Sequence, residues 1–199
     1  MKPHLFLEGD IGCGKSWLLM NALRGELPAS GGMCTVRAAD AAGRLAGFRV
    51  VSPQELCGDL VNCGANADSL FVRVAPGGGI ARDDSVFAGY GLRLLRQASS
   101  ARFVFIDEIG GTEILIKPLR DEFLRIIGGS VPCIGVFKSA PNAQVMEKCM
   151  GGAPGYLEAW DALRAELGSH PNVKMVKVSE RGDPAALSAI EEWRCTWLR

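Results

Sequence analysis

His4-Leu5-Phe6-Leu7-Glu8-Gly9-Asp10-Ile11-Gly12-Cys13-Gly14-Lys15-Ser16-Trp17-Leu18-Leu19 is the stretch on which the fold turns. Leu5, Phe6 and Leu7 form a short apolar run that reads as a buried strand ending at Gly9. From Lys15 the spacing changes: Trp17, Leu18, Leu19, Ala22 and Leu23 recur at helical intervals until Gly25. Between strand and helix, residues 9–16 satisfy G-x-x-x-x-G-K-[ST] at every fixed position. That pattern predicts a loop wrapped around polyphosphate. Gly9, Gly12 and Gly14 let the backbone turn tightly, so that the N–H groups around Asp10, Ile11 and Cys13 face inward. Lys15 brings a point charge for the β- and γ-phosphates, and the Ser16 hydroxyl suits Mg2+. The helix beginning here, with Trp17 in its first turn, directs its positive end at the same place.

Such a loop needs an acidic partner for its metal at the end of a neighbouring strand. Phe103-Val104-Phe105-Ile106-Asp107-Glu108 fits: four apolar residues, as in a strand buried on both faces, then two carboxylates. Asp107 is the expected Mg2+ partner of Ser16. Glu108 is the expected base, or the group that holds a water in line with the γ-phosphate. Lys15 is counted with it as catalytic, since its charge offsets charge on the phosphates.

Working outward, residues 33–38 and 45–51 read as a hairpin turning near Ala41 to Gly43, and Phe71 to Val74 as a further strand. Asp83 to Ser99 and Leu119 to Ile127 carry helical spacing. Val131 to Phe137 reads as a buried strand, 155–167 as helix, 173–178 as strand, and a last helix starts at Pro184. Gly/Pro-rich stretches at 76–79 and 151–155 read as mobile loops. The alternation predicts an α/β protein of three α/β/α layers, with a mostly parallel sheet and an antiparallel hairpin. Residues 1–199 are expected to form a single nucleotide-binding domain.

Composition narrows the partners. Twenty-two basic residues balance twenty-two acidic ones, so no global field draws the chain to nucleic acid or anionic lipid. No run approaches the length a membrane span needs, and Glu8 and Asp10 interrupt the N-terminal apolar stretch, so a cytoplasmic protein is expected. Seven cysteines without a C-x-x-C pair fit reduced thiols better than a disulfide framework or a zinc site.

Three blocks resemble the small P-loop nucleoside-triphosphatase family. They are the loop itself; Thr35 to Val51, with Gly47 and Phe48; and Ile106-Asp107-Glu108-Ile109-Gly110-Gly111-Thr112-Glu113-Ile114, similar to the family's IDEIGKMEL. A fainter echo is Val178 to Asp183. The resemblance implies Mg2+-dependent hydrolysis of nucleoside triphosphates (ATP, GTP and others) with little base selectivity, on a P-loop NTPase-type, nine-stranded or similar doubly wound sheet. Where the family has Lys and Met, this chain has Gly111 and Thr112. Its Glu180 precedes Arg181, and Gly182 separates Arg181 from Asp183, so the base pocket is not carried over.

Other residues are candidates by position. Lys138 follows an apolar strand and should emerge on the same sheet edge as Asp107. Arg93, Arg96 and Arg102 form the arginine group from which a finger on the phosphoryl could come. Trp193 and Trp197, four residues apart, suit packing of a helix onto the sheet. Two other functions stand beside hydrolysis. One is a nucleotide or small-molecule kinase with a lid at 58–84, offering Arg73 and Arg82; the other is a nucleotide-dependent switch or adaptor.

Overall fold

The computed structural model describes residues 2–57, 67–75, 77, 79–149 and 153–199. Its frame is an eight-stranded sheet of β1 (His4–Gly9), β2 (Ser30–Ala39), β3 (Leu45–Val51), β4 (Leu70–Val74), β5 (Ile80–Arg82), β6 (Phe103–Ile109), β7 (Cys133–Lys138) and β8 (Val173–Lys177). In space they run β5-β4-β3-β2-β6-β7-β1-β8. The five from β2 to β8 are parallel; β3, β4 and β5 continue outward from β2 as an antiparallel meander. The expected hairpin is there, lengthened by two strands. The resemblance implied nine strands or a similar number; eight lie among the described residues.

Alternation along β1 explains the layers, because successive side chains of a strand leave on opposite faces. Phe6 meets Phe123 edge-on at 5.8 Å on one face, while Leu5 and Leu7 join the core of the other. The first face is covered by α2 (Leu92–Gln97), α3 (Lys117–Ile127) and α5 (Tyr156–Ser169), the second by α1 (Lys15–Leu23) and α6 (Pro184–Trp197). Each fully buried Leu or Phe contributes roughly 2 kcal/mol relative to exposure. Trp193 packs edge-on against Phe103 at 5.9 Å and donates from Nε1 to the Pro3 carbonyl, while Trp197 lies partly buried against the same core. The pair packs α6 onto the sheet, as its spacing predicts.

Several boundaries differ from expectation. β7 begins at Cys133 rather than Val131, because Pro132 brings no N–H to the ladder, and it runs through Lys138. The helix expected over 83–99 is interrupted by a wider π-type turn at Phe87–Gly91. A helix that the sequence did not announce, α4 (Ala140–Cys149), follows β7 directly, with Pro141 in its first turn. Of the proposed lid, 58–66 lies outside the described residues, and much of the rest is β4 and β5, paired into the sheet. The loop at 76–79 and the one at 151–155 fall partly outside as well. The described thiols of Cys13, Cys34, Cys133, Cys149 and Cys195 are free. Among the described residues no helix is long and apolar enough to cross a membrane.

Candidate functional site

The parallel strands end together on one edge, and β1, β6 and β7 deliver their last residues there. The loop after β1 turns through Gly12 and Gly14, both left-handed at φ 83° and 92°. Gly9 is needed for another reason than the turn. A Cβ there would lie 2.3 Å from the Val178 carbonyl oxygen, since β1 and the chain after β8 close up at this point. Asp10 is exposed, and its carbonyl accepts from the Cys13 N–H at 3.3 Å, closing the turn inside the loop. Ile11, exposed at the tip, donates its N–H to Asn142 Oδ1 at 3.2 Å.

Lys15 is buried, and its ammonium folds back across the loop to the carbonyls of Gly9 (2.7 Å) and Asp10 (2.8 Å), with Cys13 Sγ at 3.7 Å. These acceptors satisfy it. Ser16 Oγ donates to Asp107 Oδ1 at 2.8 Å. Asp107 arrives from β6, which is not the neighbour of β1: β7 lies between them. The expected pairing of hydroxyl and carboxylate is therefore brought together across an intervening strand. Burial pushes the Asp107 carboxyl up to about 7, and the Glu108 charge adds to this against the Ser16 hydrogen bond and the charges of Lys15 and Lys138.

A hydroxyl and a carboxylate oxygen converging at this distance are hard donors of the kind Mg2+ takes, and the cavity around them leaves room for waters and phosphate oxygens. That cavity, about 490 Å3, is lined by Gly12, Gly14, Lys15, Ser16, Asp107 and Glu108, with Trp17 at its border. The residues fit the ion.

Glu108 lies beside Asp107, and its Oε2 accepts from Lys138 Nζ at 2.7 Å. Lys138 thus stands on the edge where strand counting puts it, and it is bound to the candidate base. Its carbonyl accepts from Trp160 Nε1 at 3.1 Å, which ties the end of β7 to α5. The turn after β6 is held by groups the sequence did not single out. Glu113, buried, accepts from the N–H groups of Gly110 (2.9 Å) and Gly111 (2.8 Å), and Tyr156 Oη donates to the Gly110 carbonyl at 2.7 Å. Gly110 has φ 105°, and its Cβ position lies 3.1 Å from Lys138 Cβ, so the turn can pass the lysine only as glycine.

Asn142 was also missed. It is buried at the start of α4, and besides holding Ile11 it donates from Nδ2 to the Gly9 carbonyl at 3.3 Å, buttressing the loop from behind. Arg181 lines the cavity, with its guanidinium carbon 4.2 Å from the centre of the Trp17 ring. Asp183 is taken up structurally: it caps α6 through the N–H groups of Ala185 and Ala186 and accepts from Ser179.

The arginine group does not gather at the site. Arg102 precedes β6, at the opposite end of the strand from Asp107, and pairs with Glu26 and the Leu198 carbonyl. Arg93 lies over the Tyr90 ring at 5.0 Å, and Arg96 is exposed on α2; neither lines the phosphate cavity.

Comparison with known proteins bears on the fold and the family. Among solved structures the chain is similar to the crystal structure of THEP1 from the hyperthermophile Aquifex aeolicus, at 16% identity and a TM-score of 0.57, over 94% of this chain and 96% of that one. At that identity the likeness concerns the fold, a P-loop NTPase three-layer sheet. No curated protein matches. A family model described as NTPase matches residues 4–153, from the start of β1 through β7 and α4. With that match over well beyond half its length, the chain belongs to the NTPase family, whose members are small P-loop nucleotide-binding proteins.

Proposed function

We propose that this chain is a Mg2+-dependent nucleoside-triphosphatase, releasing nucleoside diphosphate and phosphate from ATP, GTP and related triphosphates. The observation that carries the reading is the 2.8 Å contact between Ser16 Oγ and Asp107 Oδ1 beside the Lys15 ammonium, with Glu108 lining the same cavity. Ser16 and Asp107 would hold the metal, Asp107 directly or through a water. When bound, Mg2+ would neutralise charge on the terminal phosphates.

The remaining chemistry belongs to the chain. Phosphate oxygens would replace the Gly9 and Asp10 carbonyls as partners of Lys15, turning its charge from the loop to the β- and γ-phosphates. N–H groups of residues 9 to 16 and the start of α1 would surround the same oxygens. Glu108 would orient a water in line with the γ-phosphorus and take its proton. Lys138, already on Glu108, would fix that carboxylate and supply positive charge where the family motif has a lysine and this chain has Gly111. The base would lie toward Trp17 and Arg181. A flat indole and a guanidinium accept any base by its face, which suits broad triphosphate use.

Phosphate release from the purified chain, measured with ATP, GTP, CTP and UTP and with or without Mg2+, tests the reading. Turnover of several triphosphates, abolished by chelation, is expected. Absence of Mg2+-dependent triphosphate affinity overturns it.

A further inference from the structure

A second cavity of about 320 Å3 opens behind Glu108, away from the phosphate loop. Thr35, Phe48 and Glu108 border both spaces, so the two communicate across the candidate base. Its far walls are apolar. Phe71 on β4 is the centre of an aromatic set, with its ring centroid 6.4 Å from Phe48 and 4.6 Å from Phe87, and Ile80 stands 71% exposed among the lining residues.

A water needs no apolar chamber beside its base. The size is that of a small-molecule pocket, which combines an apolar lining with a few polar groups that fix orientation. One such group is present without a partner: Thr112 lines the cavity, is more than nine-tenths buried, and its Oγ1 makes no hydrogen bond among the described residues. The charges around the cavity are engaged. Lys138 holds Glu108, Arg82 pairs with Asp84, and Glu113 takes the Gly110 and Gly111 N–H groups. An occupant bearing its own charge would have to displace one of these; a neutral one would not.

We propose that this cavity receives a small uncharged alcohol with an apolar ring or chain, and that the γ-phosphoryl passes to its hydroxyl. This rests on the triphosphate site proposed above. The alcohol oxygen forms the new bond to the γ-phosphorus. The bond from that phosphorus to the β–γ bridging oxygen breaks, and nucleoside diphosphate leaves with the electron pair. The alcohol proton goes to Glu108. The products are a phosphate monoester and nucleoside diphosphate, and hydrolysis is the same step with water in the alcohol's place.

The test counts two products at once. The full chain with Mg2+ and γ-labelled ATP is incubated with 2-phenylethanol, pyridoxine and thymidine in turn, and ADP, free phosphate and labelled ester are each quantified. With an accepted alcohol, ADP exceeds free phosphate and the difference is recovered as ester. Ile80→Asp, an exposed position outside the triphosphate site, should lower ester formation by about threefold or more, because it replaces apolar contact surface of the cavity with a hydrated carboxylate. Hydrolysis by that variant should stay within about twofold of the parent, a difference small on the scale of a lost contact. Thr112→Val should lower ester formation and leave hydrolysis in place. ADP equal to free phosphate with all three alcohols overturns the inference and leaves the hydrolase standing. Ester formation that Ile80→Asp does not change overturns the assignment to this cavity. Absence of both ADP and Mg2+-dependent ATP binding removes the triphosphate site and the inference with it.

Discussion

Glu108 and Lys138, thirty residues apart on β6 and β7, are joined by a 2.7 Å hydrogen-bonded ion pair at the edge where the phosphate loop opens. The lysine is the more buried partner, and its backbone is fixed by Trp160 on α5, so the pair has a rigid side and a side that faces the cavity. Glu108→Gln keeps the shape and removes the proton acceptor. Turnover should fall by ~10²-fold or more with triphosphate affinity nearly unchanged, the scale of a positioned base. Single-turnover rates and equilibrium titration separate the two, and wild-type turnover by the Gln variant would exclude Glu108 as base.

Lys138→Met tests the other half of the pair. Removing the ammonium leaves Glu108 without its anchor beside Asp107 and deletes positive charge near the γ-phosphate position. The expected loss is in kcat, about 10- to 100-fold, with a smaller change in KM, because the lysine is paired with Glu108 and acts through that carboxylate. A rise in KM alone would make Lys138 a simple binding residue.

Lys15→Ala removes the charge aimed at the phosphates, and Asp107→Asn removes the carboxylate that meets Ser16. The first should weaken triphosphate binding by about 10- to 100-fold, since a charge-assisted hydrogen bond contributes roughly 1.5–3 kcal/mol. The second should weaken the Mg2+ dependence of that binding while leaving metal-free affinity in place. Calorimetry with and without Mg2+ reads both. An Asn variant with wild-type Mg2+ dependence would place the metal elsewhere.

What the sequence discloses here is local. The loop is legible because its glycines, lysine and serine are adjacent, and β6 because four apolar residues run straight into Asp107 and Glu108. Strand direction alone puts Lys138 at the right edge. It also argues against Arg102: that residue stands before β6, and a seven-residue strand separates its ends by roughly 20 Å. Asn142 was invisible for the opposite reason. Only Asn142 and Ala143 of α4 are deeply buried, so the helix shows no apolar stripe, and the contact with Ile11 spans 131 residues. Glu113 looked like one more motif position; its work is to cap the turn of Gly110 and Gly111, which no spacing rule reports.

Asn142→Ala follows from that contact. The amide accepts from the Ile11 N–H and donates to the Gly9 carbonyl, so its loss frees both sides of the phosphate loop. Stability should fall by about 1–2 kcal/mol, the cost of leaving buried polar groups unpaired. Triphosphate affinity should fall with it, by about threefold to tenfold, because a loosened loop must be ordered on binding. Urea unfolding and nucleotide titration check the two. A variant of unchanged affinity would show that the loop holds its shape without α4.

His4 opens β1 with no accessible surface, and among the described residues neither ring nitrogen has a partner at good hydrogen-bond geometry. Burial, with His170 nearby, lowers its pKa from 6.5 to about 4, against a smaller opposing pull from the Gly129 and Ile127 carbonyls. The folded chain therefore keeps this ring neutral while the unfolded chain takes up a proton. Stability is full above about pH 6.5 and declines as pH falls toward 4, where the folded form also protonates. Linkage makes the loss across that range roughly 2–3 kcal/mol. Burial raises carboxylates as well, Asp107 to about 7, and these titrate in both proteins, so the informative quantity is the difference between the parent and His4→Leu from about pH 7 to about pH 5. Urea midpoints of the parent should drop across that window relative to those of the Leu variant; parallel curves would mean that the ring is not held neutral by the fold.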